Sequence, residues 1–185
     1  MPAEVAARFA RASPAAIGAF RHWGFMDPGV QSMQANVRIA GPAVTIHQPS
    51  VDGEIIRHTL GQLRRGDVLV VDRCGDGRHA GFGGIFAHAA KIAAIAGLIV
   101  DGVVADVAEL RHYRIPVWSR GLSAITVKRI GGLGGSLCLP VSCGGVAVSP
   151  GDVVIADDCG VVVIDAREAV ATVERAIALQ AAELG

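Results

Sequence analysis

Between residues 66 and 120 short, continuous apolar runs alternate with helical segments, and this alternation constrains the fold more than any other feature. "VLVVD" leads through the glycine-rich "RCGDGRHAGFGG" into "IFAHAAKIAAIAG"; "LIVD" then precedes "DVAELRHYR", and "IPVWS" follows. Runs that are apolar at every position suit strands buried on both faces, and strand–helix–strand alternation predicts an α/β unit with parallel pairing.

The flanks extend this unit. Residues 3 to 23 carry two alanine-rich helical pieces divided near Ser13 and Pro14, with Ser13 as cap and Pro14 in the first turn. "VRIAGPAVTIHQP" reads as a strand interrupted at Gly41 and Pro42, which predicts an edge position or a bulge because proline cannot donate to a ladder. "EIIRHTLGQLRRGD" is a short amphipathic helix. From residue 130 the pattern changes to glycine-divided β-runs, "SLCLPV", "GGVAVSPGD", "VVIADDCG" and "VVVID", which predict antiparallel hairpins forming a β-layer on the first half. A last helix is predicted to start at Asp165, with Glu168 at capping-box spacing. The organisation expected is one domain: an N-terminal helical segment 1–23, a core 24–164 and a C-terminal helix 165–185.

Seventeen basic and seventeen acidic side chains give a net charge of zero. A chain without excess positive charge is not suited to displacing counterions from a phosphate backbone, so nucleic acid is not expected as a partner. Low net charge also removes the repulsion that keeps copies apart, and an oligomer is expected. Cys74, Cys138, Cys143 and Cys159 form no C-x-x-C pair or paired zinc spacing; no cleavable leader, and reduced thiols in a soluble, cytoplasmic protein, are the expectation. The most apolar stretch, residues 85 to 100, is broken by His88, Lys91 and Gly97, so no membrane span is expected.

Two places suit chemistry. At the loop-to-helix junction, Gly83, Gly84, Ile85 and Phe86 place unpaired amides and the positive end of a helix dipole where an anion can approach. The same glycines also suit a tight turn with close packing. The second place is "VDGVVADVAEL", where Asp101 follows a buried strand and Asp106 comes five residues later. One or two carboxylates suit a hard divalent ion, while Asp106 with Glu109 equally has the spacing of a helix cap. His79 lies in the glycine-rich loop; His88 sits in an alanine-rich helix; His47, His58 and His112 carry no spacing signal. No serine, Ser123 included, lies in a nucleophile-elbow sequence, so triad hydrolysis is not supported.

Taken in order, "FMDPGV", "AGPAVTI", "GDVLVVD", the Gly-Gly helix junction, "AGLIVDGVVAD", "IPVWSRG" and "LPVSCGGVAVSPGDVVIADDCGVVVI" resemble the RraA-like family from about Gly24 to Ile164. This family includes 4-hydroxy-4-methyl-2-oxoglutarate aldolases, oxaloacetate decarboxylases and regulators of ribonuclease E activity. The resemblance implies an α/β fold of the swivelling β/β/α sandwich type, assembled as a homotrimer or homohexamer with active sites near subunit boundaries. It implies that amides at Gly83 to Phe86 hold a substrate carboxylate and that Asp106 serves a Mg2+ or Mn2+ site, partly through water.

The aldolase pattern reads D-G-x-x-R-D, its arginine clamping the substrate; this chain reads Asp101, Gly102, Val103, Val104, Ala105, Asp106. Arg73, Arg78 and Arg120 are the cations expected to fill the space left at Ala105. The acidic motif that some aldolases contribute from a neighbouring subunit's C-terminal region has no clear match here. The function expected is a metal-dependent lyase for a small carboxylated, 2-oxo acid-like substrate, with Asp101 or a water moving the proton. The alternatives are a pocket recruited for a different reaction and a non-catalytic binding or regulatory protein.

Overall fold

The computed structural model describes residues 1–132 and 134–183. Helices α1 (Ala3–Phe9) and α2 (Pro14–Gly18) precede β1 (Gln31–Ser32) and β2 (Ile39–His47). Helices α3 (Glu54–Leu60), α4 (Gly84–Ala93) and α5 (Val107–His112) alternate with β3 (Val68–Asp72), β4 (Gly97–Val104) and β5 (Val117–Leu122). Strands β6 (Ser136–Leu137), β7 (Val141–Cys143), β8 (Val146–Val148), β9 (Val153–Asp157) and β10 (Gly160–Ile164) follow, and α6 (Ala169–Glu183) closes the described chain.

The main sheet runs β1-β5-β4-β3-β2-β9-β10, with β6 also paired to β2. Strands β2 to β5 are mutually parallel, as the alternation predicts, whereas β1, β6, β9 and β10 join antiparallel. The period of two along the central strands divides two cores. Leu69, Val71, Leu98 and Val100 face Phe86, Ala87, Ala90 and Leu110 of the helical layer. Val68, Val70 and Ile99 face Val141, Cys143 and Val148 of the β7–β8 hairpin. A third cluster seats α2 and α6 on β9 and β10 through Ile17, Ile155, Val162, Ile164 and Val173. This is the β/β/α layering of the swivelling sandwich in one domain.

Three boundaries differ from the sequence expectation. β2 runs unbroken through Gly41 and Pro42 near the middle of the sheet rather than at an edge. Pro42 is the last residue paired with β9 and Ala43 the first paired with β3, so the residue lacking an N–H falls where the strand changes partners. A Cβ at Gly41 would lie 2.2 Å from the Gly66 carbonyl oxygen, so close backbone approach explains this glycine. Helix α6 begins at Ala169, because Asp165 instead accepts from the Arg167 amide at 2.8 Å in a turn. "SLCLPV" is divided at Cys138, whose φ of +54° breaks the strand. The Ser13 cap is present, its Oγ accepting from Ala16 N at 3.1 Å. Among the described residues no helix is long and apolar enough to cross a membrane.

Candidate active site

The site grows from the end of β4. The β4–β5 register shifts between Val100 and Val103, so Asp101 and Gly102 form an irregularity within the strand rather than its end. The chain continues to Ala105, whose buried position is secured by its amide donating to Phe82 O at 2.8 Å. That bond ties the end of β4 to the segment preceding α4. Asp106 then adopts a left-handed backbone, φ 50° and ψ 46°, and its side chain makes no cap bond to α5. The expected cap of α5 is therefore not formed, because a capping side chain needs an extended backbone there. Instead Asp106 Oδ2 accepts from Gly84 N at 2.9 Å. The acid that opens one helix caps another.

The two glycines follow from this contact. A Cβ at Gly83 would lie 2.4 Å from Asp106 Oδ2, and one at Gly84 would lie 3.2 Å from Glu109 Cγ. The first α4 amide is thus satisfied by the protein's own carboxylate. The Ile85 and Phe86 amides precede the first intrahelical bond, from Ala87 N to Gly83 O at 2.9 Å, and belong to the turn that presents donors. Phe86 is anchored edge-on against Phe82, ring centroids 4.7 Å apart, while Ile85 is 90% exposed.

A cavity of about 330 Å³ opens beside this junction. Its walls come from Gly83 to Phe86, Ala105, Asp106, α3 and residues 126–129. The last segment is brought in by Val127 N donating to Ala80 O (3.0 Å) and Lys128 N to Val51 O (2.7 Å). Asp52 fastens the next stretch, accepting from Ile130 N and Gly132 N; burial pushes its carboxyl pKa up, but these amides outweigh that and lower it. Three cationic residues line the cavity: Arg57, Lys128 and Arg129. A larger cavity of about 880 Å³ lies between α2, residues 25–35 and the β9–β10 turn, and Asp158 is its one charged lining residue.

The arginines expected beside Ala105 lie elsewhere; none of Arg73, Arg78 and Arg120 lines the cavity. Arg73 is fully buried, donating through Nη1 to Gln48 O and Ser50 O and through Nη2 to Asp76 Oδ2 (2.8 Å) and His79 O. Burial lowers its pKa, partly opposed by Asp76. Arg78 is exposed, and its carbonyl accepts from Ser123 Oγ. Arg120 pairs with Asp101 and Asp27. Asp101 is also outside the cavity: Oδ1 takes Arg120 and Oδ2 accepts from Gly144 N at 2.7 Å, which anchors the β7–β8 turn. His79 bonds Asp76, and His88 stacks at a tilt near Tyr113.

Sequence reasoning missed Arg57, Lys128 and Arg129. Lys128 and Arg129 are brought in by two short backbone bridges, Asp52 to Lys128 and Ala80 to Thr126, while Arg57 comes from α3, and no local motif signals such a bridge. The donor set at the junction fits a hard divalent ion. Asp106 Oδ1 has no hydrogen-bond partner among the described residues, and Glu109 lies close by. One or two carboxylates completed by water and substrate oxygens are what Mg2+ takes.

The chain as a whole is similar to known proteins. The family model RraA-like, described as Aldolase/RraA, matches residues 15–163. A protein of Halalkalibacterium halodurans, provisionally named 4-hydroxy-4-methyl-2-oxoglutarate aldolase, is 33% identical over 135 residues, covering 73% of this chain and 63% of its own length. Protein DlpA of Legionella pneumophila is 29% identical over 159 residues, covering 83% of this chain and 26% of its own. The chain thus spans less than two thirds of the length of these curated relatives. Among solved structures, Streptomyces coelicolor RraAS2, an unusual member of the RNase ES inhibitor RraA family, superposes with a TM-score of 0.85 at 26% identity, covering 98% of this chain and 96% of its own. A Thermus RNA-processing inhibitor RraA gives a TM-score of 0.69 at 29% identity, covering 76% and 84%. With the layered fold and a family model extending over most of its length, this chain belongs to the RraA-like family.

Proposed function

We propose that the protein is a metal-assisted lyase that cleaves the carbon–carbon bond one carbon removed from the carbonyl of a small 2-oxo carboxylate, the bond's electron pair passing into the carbonyl to give the pyruvate enolate, which water then protonates. One observation carries this reading: Asp106 and the first-turn amides of α4 meet at one cavity edged by Arg57, Lys128 and Arg129. Ile85 and Phe86 amides hold the substrate carboxylate at the positive end of the helix. Asp106 is fixed through Oδ2 on Gly84, which leaves Oδ1 for the water shell of a Mg2+ or Mn2+ ion. Such an ion, when bound, polarises the substrate carbonyl. The three cationic side chains that line the same cavity as Ala105 offset the substrate's negative charge in place of the family pattern's arginine. Ala105 leaves room there for a bulkier substituent. Proton transfer runs through water, because both Asp101 oxygens are engaged elsewhere.

Self-association as a homotrimer or homohexamer belongs to the same proposal. Ile85 and Ile92, 90% and 74% exposed, stand two turns apart on α4 beside the cavity and offer a second subunit an apolar stripe. A second reading, a non-catalytic regulatory protein, is favoured by the one observation of Ala105 in the arginine position. The deciding assay follows pyruvate release from 4-hydroxy-4-methyl-2-oxoglutarate and from oxaloacetate with Mg2+ or Mn2+. Turnover that disappears in Asp106→Ala supports the lyase. Turnover gained solely by Ala105→Arg indicates a pocket recruited for another reaction, and none in either form indicates the regulatory protein.

A further inference from the structure

Outside the cavity, the ends of β2 and β3 carry three side chains of a different chemistry. His47 and Asp72 are the last residues of these parallel strands and are direct partners in their register. Both side chains therefore stand on the same face, and His47 Nδ1 lies 2.9 Å from Asp72 Oδ2. Two residues later the chain turns back at Cys74, whose φ of +55° is uncommon for a side-chain-bearing residue. The turn is held by Cys74 N donating to Asp72 Oδ1 at 2.7 Å. It brings Cys74 Sγ to 3.5 Å from His47 Nδ1. One ligand atom from each residue lies within 4.8 Å of the others.

We propose that His47, Asp72 and Cys74 form a binding site for a borderline-soft divalent cation of the zinc class, separate from the Asp106 site. A tetrahedral ion with bonds of about 2.0 to 2.3 Å spaces its ligands by roughly 3.4 to 3.7 Å; Cys74 Sγ already stands 3.5 Å from His47 Nδ1, all three ligand atoms lie within 4.8 Å, and the hydrogen-bonded His47–Asp72 pair at 2.9 Å opens by a side-chain rotation to admit the ion. An imidazole nitrogen, a carboxylate oxygen and a thiolate select zinc or cobalt over magnesium, which takes oxygen. Asp72 contributes Oδ2 and keeps Oδ1 on the Cys74 amide, so the loop carrying the thiolate is fixed by one of its own co-ligands. The His47 side chain is 42% exposed and Cys74 is exposed, which leaves the fourth position to water or an anionic ligand. On binding, the thiol gives up its proton to solvent, and the imidazole carries its remaining proton on Nε2.

The test is a Co2+ titration of the full chain, read by the near-ultraviolet thiolate-to-cobalt charge-transfer band and the visible ligand-field bands, with Zn2+ as competitor. The proposal expects one equivalent of Co2+ to produce both bands and one equivalent of Zn2+ to abolish them. Cys74→Ala should remove the charge-transfer band. His47→Ala should weaken Co2+ binding by at least the roughly 10- to 100-fold that loss of an outer-shell partner costs. Asp106→Ala and Cys138→Ser should leave the bands unchanged, which separates this site from the proposed lyase site. Absence of a thiolate band in the folded parent, or its persistence in Cys74→Ala, overturns the proposal. Circular dichroism of each variant confirms that the fold is retained, and Cys74→Ser, with nearly the same shape, supplies a second test of the thiolate.

Discussion

Asp106 Oδ2 accepts a hydrogen bond from Gly84 N at 2.9 Å, joining the residue before α5 to the first residue of α4 across 22 positions of sequence. Under the proposed function Asp106 has two separable duties, one oxygen holding a helix end and the other serving the metal site. Asp106→Ala removes both and is expected to cost about 1 kcal/mol of stability, the usual worth of an N-terminal cap. Asp106→Asn retains a side-chain oxygen for Gly84 and should recover most of the stability without recovering metal-dependent turnover. Thermal unfolding measured beside pyruvate release separates the two effects.

Gly83 is coupled to the same carboxylate. Because a Cβ there would sit 2.4 Å from Asp106 Oδ2, Gly83→Ala must displace either the backbone or the acid. In Asp106→Ala that obstacle is gone. The double variant should therefore be more stable than the sum of the single effects predicts, by about 0.5 kcal/mol or more. Strict additivity in denaturant unfolding would show that the carboxylate does not occupy this position.

Much of this fold was legible in the sequence because the central strands are apolar at every position, and only strands covered on both faces read that way. Pro42 misled for a physical reason: its missing donor excludes a continuous ladder but not the point where a strand exchanges one partner for another. The site was legible in part. Gly83, Gly84 and Asp106 stand out locally, yet D-x-x-E spacing is the same whether or not the backbone permits a cap, and the φ of Asp106 decided against it. Arg57, Lys128 and Arg129 carry no signal, since their convergence depends on contacts across more than 70 positions, such as Asp52 with Lys128. The buried Arg73 was indistinguishable in sequence from an arginine free to reach substrate.

The cavity cations are expected to govern substrate affinity. Lys128→Ala and Arg129→Ala should each raise KM for a dicarboxylate by roughly threefold to tenfold, since exposed charges are partly screened. A monocarboxylate should respond less, and raising the salt concentration should reduce the difference. Steady-state kinetics at two ionic strengths test this, and equal effects on both substrates would remove these side chains from charge recognition.

Arg73 should behave as a fastening residue. Its guanidinium joins the Gln48 and Ser50 carbonyls to Asp76 and the His79 carbonyl, with no exposure to solvent. Arg73→Met leaves Asp76 without its buried partner and is expected to cost about 3 to 5 kcal/mol, read as a lower denaturant midpoint.

The same loop predicts a response to acid. Burial pushes the Asp76 carboxyl up, but the amides of Arg78 and His79, the His79 ring and the Arg73 guanidinium together outweigh it and hold the group down at about 2. A carboxylate whose folded pKa lies below its unfolded value of about 3.9 adds stability that is fully present above the unfolded pKa and fades as pH falls towards the folded one. The parent protein should therefore lose stability between about pH 4 and pH 2 through this group. Asp76→Asn should be less stable at neutral pH and show a shallower decline across that window. Unfolding midpoints measured from pH 6 downwards decide the matter: parallel curves for parent and variant would mean that Asp76 is not ionised against Arg73 in the folded protein.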